Sequence, residues 1–182
     1  RAEKEVEPET NKRDRIRVLF VSEQLAYPLE AMPYLSKLIE TEGIELLVKC
    51  RPYRDGFEEW LKENRPEVLD RIKIIKGDIR EAVFNSDVVV GSHSTAALEA
   101  LFALKPPIFY ATKRWSDYFN LKDFDPQYSF FAETPEELVR DIMKSQEVPK
   151  KVLENLQERF FGDPYQNGSK WVVDRVSQLL SQ

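Results

Sequence analysis

One stretch of the 182-residue chain constrains the fold more than any other, residues 87–108, which read DVVVGSHSTAALEALFALKPPI. The three consecutive valines at 88–90 are typical of a short strand that is buried on both faces. Gly91 predicts a sharp turn after this strand, and a helix is expected from about Thr95 to Leu104, where two prolines stop it. Such a junction leaves backbone N–H groups free at the positive end of a helix dipole, which favours an anion such as a phosphate. The candidate binding residues in this turn are Gly91, Ser92, His93, Ser94 and Thr95.

Glu99 is the only formally charged side chain between Val88 and Leu104. It does not belong to a capping box, because Ala96, three residues earlier, cannot cap a helix. On a helix, Glu99 shares a face with Thr95. Two interpretations remain open. Either the carboxylate accepts hydrogen bonds from sugar hydroxyls beside a bound phosphate, or it points to solvent and the turn hydroxyls merely cap the helix.

Strand-like and helix-like segments alternate through most of the chain, which predicts a Rossmann-like three-layer α/β/α fold with a mostly parallel sheet of about six strands. The last helix is expected to bury Val172, Val176 and Leu179. Residues 1–15 are mostly charged and are interpreted as a tail or an interdomain linker, and residues 16–182 as a single domain. The strands are predicted at 16–21, 44–48, 72–75, 88–90, 108–111 and 128–131. Helices are predicted at about 29–41, 95–104, 150–160 and 169–180, with a short helix around 57–61, one that opens at 77–78 and ends near 85–87, and one that starts at Thr134.

The composition excludes several kinds of site. The net charge of −5 argues against a nucleic acid held through its phosphates. Cys50 is the only cysteine and His93 the only histidine, which excludes an intramolecular disulfide and a multi-histidine metal site. No metal and no cofactor is predicted. Asp123-Phe124-Asp125 has the Asp-x-Asp spacing of a metal-binding motif, but it lies in a loop and is not convincing. No apolar run approaches the roughly 18 residues of a membrane span, so we expect a cytoplasmic protein, free or peripheral at the inner face of the membrane.

Two cations, Lys49 and Arg51, follow the second predicted strand. In parallel sheets, ligands bind outside the carboxyl ends of the strands, where these cations and the 91–95 turn are both expected. His93 is either a phosphate contact or a turn residue bonded to the backbone. The loop at 112–126 carries Trp115 and Tyr118, for which local packing or an interface is favoured over stacking on a nucleobase.

Three segments resemble the C-terminal, donor-binding half of GT-B glycosyltransferases, in particular the surface-polysaccharide group with polysialyltransferase-like and CDP-glycerol glycerophosphotransferase-like enzymes. Residues 48–52 (VKCRP) are similar to that group's Lys-x-His-Pro. Residues 86–108 are similar to its strand, Ser-Thr, Glu-Ala and Lys-Pro signature, and residues 162–180 to its closing helix. The resemblance covers roughly residues 16–180.

This resemblance implies that Ser94 and Thr95 bind the donor phosphates, that Glu99 binds the ribose or the sugar, and that Lys49 lies near the phosphates. Arg51 stands where the group has histidine. An arginine holds phosphate bidentately but cannot act as a general acid near neutral pH. The acceptor-binding N-terminal half of such enzymes has no counterpart in this chain, which is therefore expected to bind a donor without turning it over.

The leading hypothesis is a binding domain for a UDP-, CDP- or CMP-linked donor, acting in surface glycan synthesis, with the catalytic residues unknown. Two alternatives stay open. One is a GT-B-like epimerase or hydrolase of nucleotide sugars, which the single histidine disfavours. The other is a non-catalytic α/β module that binds a protein partner through the aromatic loop and the charged N-terminal segment.

Overall fold

A computed structural model describes residues 14–23, 27–51, 56–163 and 168–180. Most of the predicted tail at 1–15 lies outside the described residues, and so does Pro52 of the 48–52 segment.

Six strands of the described residues form one sheet in which every neighbouring pair is parallel. The strand order is β3-β2-β1-β4-β5-β6, so the direction of winding reverses between β1 and β4. This confirms the prediction of a sheet of about six strands. A reversal of this kind opens a crevice at the carboxyl ends of the two central strands. The strands are β1 (Ile16–Val21), β2 (Ile44–Lys49), β3 (Lys73–Ile74), β4 (Val88–Gly91), β5 (Pro107–Tyr110) and β6 (Phe131–Ala132).

Helices cover both faces of the sheet. They are α1 (Pro28–Glu40), α2 (Phe57–Asn64), α3 (Pro66–Leu69), α4 (Ile79–Phe84), α5 (Thr95–Leu98), α6 (Pro135–Lys144), α7 (Lys150–Phe161) and α8 (Gly168–Leu180), with 3-10 segments at Glu99–Ala103 and Ser145–Glu147.

The alternation of side chains along each strand builds two hydrophobic cores, one on each face of the sheet. On one face Phe20 packs with residues of α1 and α6, such as Leu35 and Leu138. On the other face Leu19 packs with residues of α4 and α7, such as Val83. Because both faces are covered, the strands are apolar throughout, and the three-layer α/β/α architecture predicted from the sequence is confirmed.

The helix predicted at 95–104 changes type along its length. It is α-helical only over Thr95–Leu98 and continues as a 3-10 helix over Glu99–Ala103. Leu104 then adopts a left-handed conformation with φ 48°. The tighter helix and this residue let the chain turn back into β5 within three residues. The sixth strand was also misplaced, since β6 occupies Phe131–Ala132 rather than 128–131.

The expectation that α8 buries its apolar face is wrong. The exposed fractions of Val172, Val176 and Leu179 are 53%, 48% and 57%. The 3.6-residue periodicity predicted an amphipathic helix correctly, but it does not say what the apolar face contacts. None of the helices in the described residues combines the length and the apolar character needed to cross a bilayer.

Candidate functional site

A cavity of about 580 Å³ opens at the carboxyl edge of the sheet, next to the reversal in strand order. Its volume is within the range of roughly 300–1,000 Å³ that is usual for small-molecule sites. The ends of β1 and β2 and the starts of α4 and α5 all contribute to its wall. The lining residues are Val21, Lys49, Cys50, Arg51, Gly77, Asp78, Ile79, Ser94, Thr95 and Ala96.

Lys49 is the most informative residue of this cavity. It is the last residue of β2 and is only 8% exposed. Among the described residues, no hydrogen-bond acceptor or carboxylate lies within bonding distance of its Nζ. The stem of Lys49 is buried and its ammonium reaches the cavity, where an anion would find a positive charge that no described residue pairs with. Arg51 lies two residues further on at the mouth of the same cavity, so the structure brings together the two cations singled out in the sequence.

Ser94 and Thr95 contribute hydroxyl groups from the opposite wall. Ser94 is the N-cap of α5, and its Oγ accepts a hydrogen bond from the backbone N–H of Ala96 at 3.2 Å. Thr95 is exposed at the first position of the helix. Capping is therefore one role of Ser94, and the position of both hydroxyls on the cavity wall is compatible with a second role as donors to a ligand oxygen.

Asp78 is a cavity residue that the sequence did not single out as a binding residue. It caps α4, because its Oδ1 accepts a hydrogen bond from the backbone N–H of Arg80 at 2.9 Å. The Arg80 side chain also forms an ion pair with it at 3.0 Å. These two bonds lower the pKa of Asp78, and the positive charge of Lys49 adds to the effect. The cavity lining thus includes a carboxylate as well as two cations.

The sequence predicts free backbone N–H groups at this turn, but the first two of them are hydrogen-bonded within the chain. The backbone N–H groups of Ser92 and His93 both donate to Oε1 of Glu23, at 2.6 and 3.0 Å, and His93 also contacts Oε2 at 3.2 Å. Glu23 follows β1 and is 7% exposed. No sequence spacing connects residue 23 with residue 92, so this internal carboxylate could be found only from the structure.

Gly91 has a different role from the sharp turn expected of it. It is the last residue of β4, and its φ is not in the left-handed region. What it supplies is space: a Cβ at this position would lie 3.1 Å from Cβ of Ala97 and 3.3 Å from Oε1 of Glu23. Glycine therefore allows both the α5 helix and the buried carboxylate to approach the strand end.

His93 does not line the cavity. Its Nδ1 is 2.7 Å from Oγ of Ser92, and its ring is 5.6 Å from that of Trp115 and 6.4 Å from that of Tyr118. The Trp115 and Tyr118 rings pack edge to face, 5.7 Å apart. These rings do pack locally, which was favoured together with an interface over base stacking, and Tyr118 stays 60% exposed.

Glu99 does not line the cavity either. It is half-buried at the start of the 3-10 helix. Its negative charge adds to the raised pKa of Arg80, which is due first to the hydrogen bond with Asp78. The structure therefore brings together Lys49, Arg51, Ser94 and Thr95, and leaves Gly91, Ser92, His93 and Glu99 outside the cavity wall. In the described parts of the chain, no three His, Cys, Asp or Glu side chains are grouped as a metal site would require.

No protein-family model matches the chain, and no curated protein matches it in sequence. Solved structures do match it, and one of them is MurG of Acinetobacter baumannii. The two chains are 16% identical with a TM-score of 0.55, and the match covers 94% of this chain and 55% of MurG. The chain thus spans about half the length of MurG. At this identity the likeness shows the fold alone, and that fold is the Rossmann-like half of a GT-B glycosyltransferase.

Proposed function

We propose that this chain binds the nucleotide-linked donor of a glycosyltransferase and holds the donor phosphate in the cavity beside Lys49. The observation that carries this proposal is Lys49, a residue that is only 8% exposed, whose ammonium has no partner among the described residues, and that lines a cavity at the carboxyl edge of the sheet. The GT-B fold supports it, since ligands of open α/β sheets bind at this edge.

The polar groups on the cavity wall are of the kinds that bind phosphate. Lys49 supplies a compact positive charge, and Arg51 supplies a planar guanidinium that can hold two phosphate oxygens. Ser94 and Thr95 add hydroxyl donors. Preorganised cations and donors of this kind stabilise the negative charge that develops on a departing phosphate. The carboxylate of Asp78 accepts hydrogen bonds from ribose or sugar hydroxyls in this arrangement.

The donors that fit are nucleotide sugars or a CDP-linked glycerol, and a role in surface glycan synthesis is part of the proposal. We further propose that catalysis requires a second half that binds the acceptor. Two observations support this: the match covers only 55% of MurG, and α8 presents an apolar face, including Val172 and Val176, that no described residue covers. The chain by itself is then a binding domain without turnover.

The proposal is tested by titration calorimetry of the folded chain with UDP, CDP, CMP and GDP. We expect one of these nucleotides to bind preferentially. Lys49→Met should weaken that binding by about tenfold or more, because a charge-assisted hydrogen bond to phosphate is lost. Lys73→Met is the matched control, since Lys73 is an exposed lysine on the neighbouring strand. If no nucleotide binds at millimolar concentration to a sample with native circular dichroism, the proposal is wrong.

A protein-binding module is the second candidate function, and the exposed apolar face of α8 is the observation that favours it. Sedimentation velocity of the chain with Val176→Ser and Leu179→Ser tests whether this face mediates association. Loss of association in the variants, together with absence of nucleotide binding in the wild type, would favour the module.

A further inference from the structure

The carboxylate of Glu23 lies at the end of β4, against the turn that leads into α5. Its carboxylate accepts the backbone N–H groups of Ser92 and His93, and its side chain is only 5% exposed. Two adjacent N–H groups between a strand and a helix are a common phosphate cradle in α/β folds. In this protein that cradle is filled by a carboxylate of the chain itself.

The filled cradle and the open cavity are adjacent. A Cβ at Gly91 would lie 3.3 Å from Oε1 of Glu23 and 3.9 Å from Cβ of Ser94, so the carboxylate and the cavity wall flank the same point. Lys49, whose ammonium has no partner among the described residues, lines the cavity rather than the cradle. The position beside Lys49 is therefore open to an anionic ligand, and the neighbouring position at the N–H groups of Ser92 and His93 is occupied by Glu23.

The local charges place the favourable side of the site at Lys49 and Arg51, because the carboxylate of Asp78 is balanced by its ion pair with Arg80. A second phosphate next to Glu23 would place two negative charges side by side in a poorly solvated position, which is unfavourable. The charge of Glu23 therefore disfavours a phosphate at the two N–H groups.

We infer that Glu23 determines donor specificity: it closes the second anion position, so that the site takes a donor whose sugar or alcohol is linked through one phosphate to the nucleoside. This inference rests on the proposed function and narrows its substrate class from nucleotide-linked donors in general to nucleoside monophosphate esters. It assigns Glu23 no contact with the reacting atoms.

The test compares monophosphate and diphosphate binding by calorimetry, with CMP against CDP and UMP against UDP. The wild type should bind the monophosphate of the preferred base at least as tightly as its diphosphate. Glu23→Ala removes the charge and opens both N–H groups, so it should raise diphosphate affinity about tenfold relative to the monophosphate. Glu23→Gln removes only the charge and should shift the ratio in the same direction by less, and it serves if the alanine variant does not fold.

Glu45→Gln is the matched control, because it removes the same charge at the amino end of β2, where Glu45 pairs with Arg17. It should leave the ratio unchanged. A wild type that binds diphosphates more than tenfold tighter than monophosphates overturns the inference while leaving the proposed function intact. An unchanged ratio in both Glu23 variants does the same. Absence of binding by every nucleotide overturns the proposed function, and this inference with it.

Discussion

Glu23 and Ser92 are 69 residues apart in the chain, and the backbone N–H of Ser92 donates a hydrogen bond of 2.6 Å to the Glu23 carboxylate. This bond joins the end of β1 to the end of β4, the two strands between which the winding of the sheet reverses. The same carboxylate also holds the N–H of His93. The bonds therefore fix the turn that carries Ser94 to the cavity wall.

The first prediction concerns the space that Gly91 provides for this contact. Gly91→Ala places a Cβ 3.1 Å from Cβ of Ala97 and 3.3 Å from Oε1 of Glu23, so the helix or the carboxylate must shift. We expect a loss of about 1–3 kcal/mol in the free energy of unfolding, as for other overpacked sites. Urea denaturation followed by circular dichroism measures it. Gly168→Ala is the control, because nothing lies within 4 Å of a Cβ there. Equal stabilities of the two variants would contradict the prediction.

The second prediction is that replacing Lys49 changes the stability of the fold and the affinity for nucleotide in opposite directions. Because Lys49 is only 8% exposed and its ammonium has no partner among the described residues, Lys49→Met should raise the free energy of unfolding by about 1 kcal/mol. The same change should weaken nucleotide binding, so that stability and affinity move in opposite directions. Urea denaturation of the ligand-free protein checks the first half. Lys73→Met should change neither quantity, since Lys73 is exposed. A Lys49→Met protein less stable than the wild type would show that the ammonium is satisfied in the folded state.

Much of the fold follows from short-range patterns in the sequence. The apolar run at 88–90 predicts a strand buried on both faces, and the structure places all three valines at 0% exposure. Once the sheet is parallel, the carboxyl ends of β2 and β4 must meet at one edge. That geometry is why Lys49 and Ser94 could be assigned to one site before the structure was known.

The parts that could not be predicted depend on contacts between distant segments. Glu23 and His93 are brought together only by the order of the strands, which the sequence does not specify. Glu99 stands where the α-helix changes to a 3-10 helix, and that change was not predictable from helical spacing. Helical periodicity indicated an apolar face on α8, but nothing in a single sequence identifies what that face contacts.

The third prediction concerns Tyr34, whose hydroxyl group donates a hydrogen bond of 2.8 Å to the backbone oxygen of Glu133. Burial raises the pKa of Tyr34 from 10.0 to about 12, and the carboxylates of Glu137 and Glu133 add to the effect. The neutral form is favoured by folding, so its contribution is fully present below pH 10 and is lost as the pH rises through about 12. Tyr34→Phe should cost about 1 kcal/mol at neutral pH.

Urea denaturation from neutral pH to pH 12 measures the pH dependence of this contribution. The difference in the free energy of unfolding between wild type and Tyr34→Phe should shrink between pH 10 and 12. Tyr118→Phe is the matched control, since Tyr118 is 60% exposed, and it should follow the wild-type curve. A constant difference between wild type and Tyr34→Phe over this range would show that Tyr34 ionises normally.

The fourth prediction is that the apolar face of α8 contributes little to the stability of the isolated chain. Val176 is 48% exposed, so Val176→Ser should change the free energy of unfolding by less than about 0.5 kcal/mol. Leu156 of α7 is fully buried, and Leu156→Ala should cost about 2–5 kcal/mol. Urea denaturation of both variants makes the comparison. A cost at Val176 similar to that at Leu156 would mean that α8 packs on the sheet layers in solution. A negligible cost leaves a face of five large apolar side chains, Val172, Val173, Val176, Leu179 and Leu180, available for the second half that the proposed transferase requires.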